Sequence, residues 1–439
     1  MNIFRYNISI LFYIFLIIHL IIWTIVPSFV NQNLPLDTIE TLAWGSNLNW
    51  GFDKHPPASA FFSEIIFQIF GSQDWAYYLL SQIFVITAFY YVFKFAKDFL
   101  NNDKLSLISV ILLEAIYFYN YTTPEFNVNV CQLPFWSLVV YFSWKIYKDN
   151  EIKISDCLFI GLFSAIGFLS KYIFIYLLIS ISLLFAYLFL KKNKKFNFKY
   201  LLILEVFLIL IIPHFIWLFN NDFVTIFYGL KRTGLEYSVL FDHLKFPTTF
   251  ILKQIGILIP FLILISFLVK NFEFKKSLHN KKTLFITVIN FLPIILILVT
   301  SIVLGSKIRT MWMTPFYLYL GVFFIYIFKN QIKLKEIKKF YTCIILLFFL
   351  SPAIYSTVSI TQSDKRTDYP GKEISDKIQY IWNLENNSPI NVVLGNEWKG
   401  GNLSYHLKSR PVWEGEVDNK KLSEYNLFIC IDDICVANK

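Results

Sequence analysis

Two carboxylates three residues apart, Asp37 and Glu40, stand in a polar stretch between two apolar runs, with Trp44 following at the same spacing plus one. Positions i, i+3 and i+7 share one face of a helix, so both acids can be aimed into one space. A carboxylate so placed can take the proton from an acceptor hydroxyl. The same stretch, residues 31–76, adds Asp53, Lys54, His55, Glu64 and Asp74, the tryptophans Trp50 and Trp75, and the rigid pair Pro56-Pro57. Further along, Glu125 follows Thr123-Pro124, Lys171 and Tyr172 join two apolar runs, and Arg232, Arg309 and Trp312 lie in short connections. Only five arginines stand against thirty-five lysines, so arginine is not the default cation of this chain. Its planar fork grips phosphate in a bidentate manner, whereas lysine acts as a point charge. Some of these residues have plainer readings. Lys171 at the end of an apolar run is a functional hypothesis by default, or a side chain snorkelling to headgroups. Glu125 either lines a site or sits where a helix dipole favours a negative charge, and the acids of 31–76 could belong to a solvated loop. Taken together, carboxylates and fixed cations facing one space suit group transfer from a phosphorylated lipid, one removing a proton and the others stabilising a departing phosphate.

The elements that must hold these residues are membrane spans. The chain has 439 residues, 56% of them hydrophobic and 16% charged, well below the quarter charged in soluble chains. Crossing a hydrocarbon core of about 30 Å takes about 20 apolar residues as helix. Eleven segments qualify as candidates: 8–30, 77–96, 105–121, 129–147, 155–170, 172–190, 200–219, 249–269, 284–304, 312–328 and 340–359. The first lacks a small-residue cleavage site and reads as a retained anchor. With the N-terminus inside, the inner short segments hold twenty-two Lys and Arg and the outer ones seven, which orients the chain by the positive-inside rule. The +10 net charge lies in those inner clusters, so nucleic acid is not the partner it suggests. An odd number of spans puts the chemistry-bearing segments and the tail outside. Within 31–76, residues 37–49 are expected as a helix lying along the outer surface with tryptophan as its anchor, and 57–70 as a second such helix.

The expected organisation is a transmembrane domain over 1–360 and a small α/β domain over 361–439. In the tail a helix is expected at 371–384 and strands at 391–394 and 427–431. Residues 395–402 should form a tight loop whose Trp398, like Trp413, packs as core or covers a sugar. Cys430 and Cys435 lie on the oxidising side, where a disulfide is open to them; Cys131, Cys157 and Cys343 read as buried small hydrophobes. No P-loop, dinucleotide fingerprint, zinc-protease motif or nucleophile elbow occurs. No cofactor is firmly indicated, although Asp37 and Glu40 leave room for a shared divalent ion.

The stretch Leu36-Asp37-Thr-Ile-Glu40 and Trp50-Gly51-Phe52-Asp53-Lys54-His55-Pro56-Pro57 resembles the first outer loop of bacterial GT-C glycosyltransferases, the protein O-mannosyltransferase-like group that includes aminoarabinose and galacturonic acid transferases of lipid A. Thr122-Thr-Pro-Glu125-Phe-Asn127, Gly167-Phe-Leu-Ser-Lys171-Tyr172, Pro213-His214-Phe-Ile-Trp217 running to Arg232, and Gly305-Ser-Lys307-Ile-Arg309-Thr-Met-Trp312 follow in the same order. The tail, from Tyr369-Pro-Gly-Lys through Gly395-Asn-Glu-Trp398 to Ser404, is similar to tails of one subgroup. The resemblance implies an all-α polytopic GT-C protein of the bacterial inner membrane with a periplasmic C-terminal domain. It also implies transfer of a sugar from a polyprenyl-phosphate-linked donor to a lipid A, glycan or protein acceptor, with inversion at the sugar. It places Asp37 as the base, Lys171 and Arg309 on the donor phosphate, Arg232 less directly, and Glu125 on a Thr-Pro-acid motif; Glu40 is then expected to orient Asp37 or the acceptor. His55 stands where some relatives carry lysine. Lys54, His55, Glu125, Tyr172 and Trp312 complete the expected substrate-binding set. A transporter or flippase of lipid-linked sugars would share the cations without needing Asp37 as a base.

Overall fold

The computed structural model describes residues 7–149, 151–191, 195–234, 239–269, 272–273, 280–332, 337–431 and 433–438. Arg5 and seven of the lysines counted as inner (Lys192, Lys194, Lys270, Lys275, Lys276, Lys333 and Lys335) lie outside the described residues. The chain opens with α1 (Ile8–Val30), then α2 (Leu36–Gly45), α3 (Ala58–Phe70) and α4 (Asp74–Leu100). There follow α5 (Asp103–Ile111), α6 (Val128–Cys131), α7 (Leu133–Lys148), α8 (Ile154–Ser170) and α9 (Ile175–Leu190). The second half of the bundle comprises α10 (Leu201–Asn220), α11 (Val224–Arg232), α12 (Asp242–Leu268), α13 (Lys281–Leu304), α14 (Leu320–Ile327) and α15 (Lys338–Thr361).

Among the described residues, seven helices are long and apolar enough to cross a membrane: Ile8–Val30, Asp74–Leu100, Tyr172–Leu190, Phe198–Asn220, Asp242–Leu268, Lys281–Leu304 and Lys338–Thr361. A bent pair, Thr310–Tyr317 with Leu320–Ile327, would make an eighth. The other segments expected as spans are shorter or broken helices, and the reason is visible in their polar residues. Helix α5 stops at Ile111 and gives way to two 3-10 turns, Leu112–Ala115 and Tyr117–Tyr119. There buried Glu114 meets His19 Nδ1 of α1 at 2.8 Å, and the Asn120 amide donates to the Glu114 carbonyl at 2.8 Å. Ser351 of α15 donates to Asn120 at 3.2 Å. Polar side chains thus fasten three helices where hydrocarbon offers backbone groups no water.

Helix α2 begins one residue from the expected start and ends at Gly45 rather than 49. It does not lie exposed with tryptophan as a membrane anchor: Thr38 through Gly45 are buried and Trp44 is 1% exposed. The cover is the tail. There α16 (Gly371–Glu385), β1 (Val392–Leu394), α17 (Glu397–His406), β2 (Val412–Trp413), α18 (Asn419–Leu422), β3 (Leu427–Ile431) and β4 (Ile434–Asn438) form a four-stranded sheet of order β2-β1-β4-β3, parallel only at β1–β2. Alternate residues serve opposite faces, as a pleat requires. Val393, Ile434 and Val436 pack under α16 and α17 with Ile378, Trp382, Leu403 and Leu407, while Val392, Leu394, Cys435 and Ala437 meet Leu422 and Tyr425. Cys430 and Cys435 face each other across the β3–β4 hairpin and are joined.

The expected loop over 395–402 is instead mostly helix α17, capped by the Asn396 side chain accepting from Lys399 N–H at 2.9 Å. Its glycines serve close approach rather than a turn, because a Cβ on Gly401 would stand 3.0 Å from the Ile39 carbonyl of α2. Trp398 and Trp413 are packing residues. Trp398 lies in a cluster with Ile39, Leu42, Tyr77 and Tyr405, and Trp413 packs beside Trp44 and Phe52. The seat is completed by Asn33 donating to Asn402 at 2.8 Å, Tyr405 to Asp74 at 2.6 Å, and Arg410 to Glu64 at 2.6 Å and to the Leu42 carbonyl at 2.7 Å.

Candidate functional site

At the end of the bundle where α1, α10 and α13 stop and α4 and α12 start, the connecting segments enclose a cavity of about 590 Å³. It is lined by Asp37, Glu40, Lys54, His55, Lys171, Tyr172, Arg232, Arg309 and Trp312. Nine of the ten residues expected as a site, drawn from five separate stretches of chain, therefore meet in one space. The tenth, Glu125, does not face it. Its Oε1 accepts from the backbone N–H of Asp37 at 3.0 Å, so the carboxylate sits at the positive end of α2, and it lines an adjoining cavity of about 690 Å³.

Local structure explains how each group is presented. Asp37 is in the first turn of α2, after Pro35, where proline ends the preceding stretch and starts the helix. Lys54 and His55 ride on a turn closed by the Phe52 N–H donating to the His55 carbonyl at 3.1 Å. Thr225 of α11 donates to the Phe52 carbonyl at 2.6 Å, and His214 Nδ1 of α10 to the Trp50 carbonyl at 2.6 Å. His214 Nε2 lies 2.6 Å from the Tyr172 hydroxyl, which ties the turn to the cavity wall. A side chain at Gly51 would run into Trp217. Lys171 occupies the turn between α8 and the 172–190 span, 2.6 Å from Asn129 Oδ1 and 5.1 Å from the centre of the Trp312 ring.

Burial sets the electrostatics. It raises the Asp37 carboxyl above its usual range, opposed by Lys171, Lys54, Arg232 and Arg309 in that order. Burial brings Lys171 down to about 7, with Asp37 pulling the other way. Burial likewise lowers His55 to about 3, helped by Lys171, Lys54 and Arg232, so this imidazole is neutral at pH 7 and donates or accepts hydrogen bonds without charge. Glu125 is pushed up to about 8 by burial and then by Asp37. Glu40 rises to about 7 through burial, then Glu397. Its Oε1 is held by Lys54 at 2.8 Å, and the same ammonium touches Glu397.

The lining is also partly apolar. Ile173, Ile175, Ile297, Leu304, Ile308 and Met311 line the cavity, several of them contributed by the spans of α9 and α13. The space thus combines charged groups with hydrocarbon side chains. The second cavity shares Leu36, Asn129, Lys307, Ile308, Arg309 and Met311 with the first and adds Lys253, Lys365 and Arg366. Among the described residues no group of three or more His, Cys, Asp or Glu is arranged so that it could hold a metal ion. Glu40 is already engaged by Lys54.

Glu397, Asn129, His214, Thr225 and Lys253 escaped the reading of the sequence as site residues. Lys253, a cation inside an apolar run, carried a usable signal. The others are ordinary residue types in unremarkable contexts.

Residues 54–217, beginning at Lys54 and ending at Trp217, match the family model for dolichyl-phosphate-mannose-protein mannosyltransferase. No curated protein sequence matches the chain. Among solved structures, ArnT from Cupriavidus metallidurans bound to undecaprenyl phosphate is similar with a TM-score of 0.62 and 11% identity, covering 95% of this chain and 87% of that one. The apo state of the same protein gives 0.60 at the same identity and coverage. At such identity the agreement lies in the path of the backbone: the chain is a multi-span membrane protein with the GT-C fold.

Proposed function

We propose that this protein is a membrane glycosyltransferase that moves a sugar from a polyprenyl-phosphate donor to an acceptor hydroxyl, on the non-cytoplasmic side of a bacterial inner membrane. The observation that carries the reading is the single cavity in which Asp37 faces Lys171, Arg232 and Arg309 while α9 and α13 supply an apolar wall. A ligand with a phosphate head and an isoprenoid tail is the chemistry that such a space accepts. ArnT, whose backbone it shares, was crystallised with undecaprenyl phosphate. The neighbouring cavity, which meets the first at Arg309 and Lys307, is the entry for an acceptor. Its Lys253 and Arg366 suit an anionic one, such as a phosphorylated lipid or glycan.

In the step itself the acceptor oxygen forms a bond to the anomeric carbon as the bond from that carbon to the phosphate oxygen breaks. The acceptor proton passes to the Asp37 carboxylate, and the electron pair leaves with the polyprenyl phosphate. Attack opposite the leaving group inverts the configuration. The phosphate gains one negative charge on leaving, and Lys171, Arg309 and Arg232 are placed to meet it. Lys54 is occupied by Glu40 and Glu397, so it shapes the acid side of the cavity rather than gripping phosphate first.

Orientation is supported by the lysine bias toward the opposite ends of the spans and by the Cys430–Cys435 disulfide, a bond of oxidising compartments. The test is Asp37→Asn, assayed in membranes against a panel of undecaprenyl-phosphate sugars. Transfer should fall by about 100-fold or more while the protein still inserts and still binds undecaprenyl phosphate. Wild-type activity in that variant removes the base and with it this reading.

A further inference from the structure

One ammonium group, Lys54 Nζ, lies between two carboxylates from distant parts of the chain: Glu40 Oε1 at 2.8 Å and Glu397 Oε2 in direct contact. Glu397 opens α17, the tail helix seated on α2. Its other oxygen accepts from the indole N–H of Trp44 at 3.1 Å, and Trp44 belongs to the same helix as Asp37 and Glu40. The contact is buried and built from both sides. Gly401 lets α17 approach the Ile39 backbone, and Arg410 reaches the Leu42 carbonyl of α2. The side chains of Glu40, Lys54 and Glu397 are between 11% and 26% exposed, so their charges act on one another with little screening.

We propose that Glu397 is a positioning residue of the transfer site, anchoring Lys54 between itself and Glu40 and so making the state of the Asp37–Glu40 helix depend on the tail being seated. The inference rests on the glycosyltransferase reading only for the identity of the site; the contact and its consequences stand without it. Two carboxylates sharing one ammonium carry a net negative charge, which favours a proton on one of them. Glu40 is the one in the cavity. It faces Asp37 from its own helix, Lys54 from the 46–57 turn, Glu397 from α17 and Glu125 from the 120–127 segment, while Glu64 of α3 is taken up by Arg410. Removing the Glu397 charge leaves Lys54 to Glu40 alone, and both changes favour the Glu40 carboxylate over its acid form.

The full chain in lipid nanodiscs can be treated with dicyclohexylcarbodiimide, an apolar reagent for protonated carboxyl groups. Labelling of Glu40 is then quantified by peptide mass spectrometry from about pH 5 to about pH 9, a range that brackets the carboxyl's raised value. Wild-type labelling should fall with a midpoint at about 7. Glu397→Gln should move that midpoint down by about one pH unit or more, and Glu397→Asp should restore part of the shift. Tyr405→Phe, which removes one tail hydrogen bond at Asp74 while Glu397 and the seat of α17 on α2 are kept, should leave it in place. If Glu397→Gln fails to insert, Lys54→Met provides the opposite sign, moving the midpoint upward. An unmoved midpoint in whichever of these two variants inserts overturns the proposal, as does an equal shift in Tyr405→Phe. Because labelling needs no substrate, the expected shifts in a protein inactive toward every donor would keep this inference and sink the enzyme reading alone.

Discussion

Lys171 and Asp37 oppose each other as titrating groups, and their signs fix the pH behaviour expected of the site. As the proposed base Asp37 would act as a carboxylate, so its raised proton affinity should remove activity on the acid side. Lys171 is charged below about 7 and neutral above it, so phosphate stabilisation fades on the alkaline side. A plot of log kcat/KM against pH should therefore be bell-shaped, with its alkaline limb near pH 7. A bound donor phosphate sits beside Lys171 and favours the ammonium, so the alkaline limb of kcat should lie at higher pH than that of kcat/KM. Lys171→Met should lower kcat/KM by about 100-fold. Lys171→Arg carries a charge that does not titrate in this range and should abolish the alkaline limb, whatever rate it retains. A limb that persists in Lys171→Arg would assign it to another group.

At the scale of elements, α2 is placed by what lies on both sides of it. One face looks into the cavity; the other is pressed by α17, whose Gly401 and Arg410 make the contact close and polar. Arg410 and Glu64 are a nearly buried pair with 12% and 7% of their side chains exposed. Arg410→Ala would leave the Glu64 carboxylate without its cation and should cost about 3–5 kcal/mol. Gly401→Val inserts atoms where the Ile39 backbone already stands and should cost about 1–3 kcal/mol. Both would appear as lower midpoints of thermal unfolding in detergent, and both should reduce transfer through displacement of Asp37. In the bundle, Glu114→Leu leaves His19 without its carboxylate partner and removes the 3.3 Å bond from the Asn120 amide to the same carboxylate, while the Glu114 backbone carbonyl still accepts from Asn120. It should loosen the packing of α1 and α15 on the broken helix, read as a lower melting midpoint than Glu114→Gln.

For the whole molecule, the bundle and the tail form one working unit, because the acid-bearing helix is enclosed between them. The orientation this requires has a direct check. In intact cells, a cysteine introduced at Ser72 should react with a membrane-impermeant maleimide, and one introduced at Lys191 should react only after the membrane is opened. Native Cys430 and Cys435 should resist alkylation until reductant is added. The reverse labelling pattern would place the cavity on the cytosolic side, where polyprenyl-phosphate sugars would have to be met before they cross the bilayer.

Composition and apolar run length determined the membrane class, and motif order along the chain determined the GT-C likeness; both are properties of local sequence. Boundaries of α3 and α16 were legible for the same reason, since α3 lies between Pro57 and Gly71 and α16 follows Pro370, while the end of α2 at Gly45 was not. Helix α17 was not, because its Gly400-Gly401 pair reads as a turn and becomes helix only where packing against α2 favours small residues. The number of full spans was equally hidden, since Glu114 and Asn120 break a run whose average hydropathy passes for a span. That Asp37, Lys171, Arg232 and Arg309 share one cavity, that Glu125 turns aside to the start of α2, and that a tail glutamate joins Lys54 were decided by tertiary structure alone. Each depends on contacts between segments about 90 to 350 residues apart, which no local periodicity encodes.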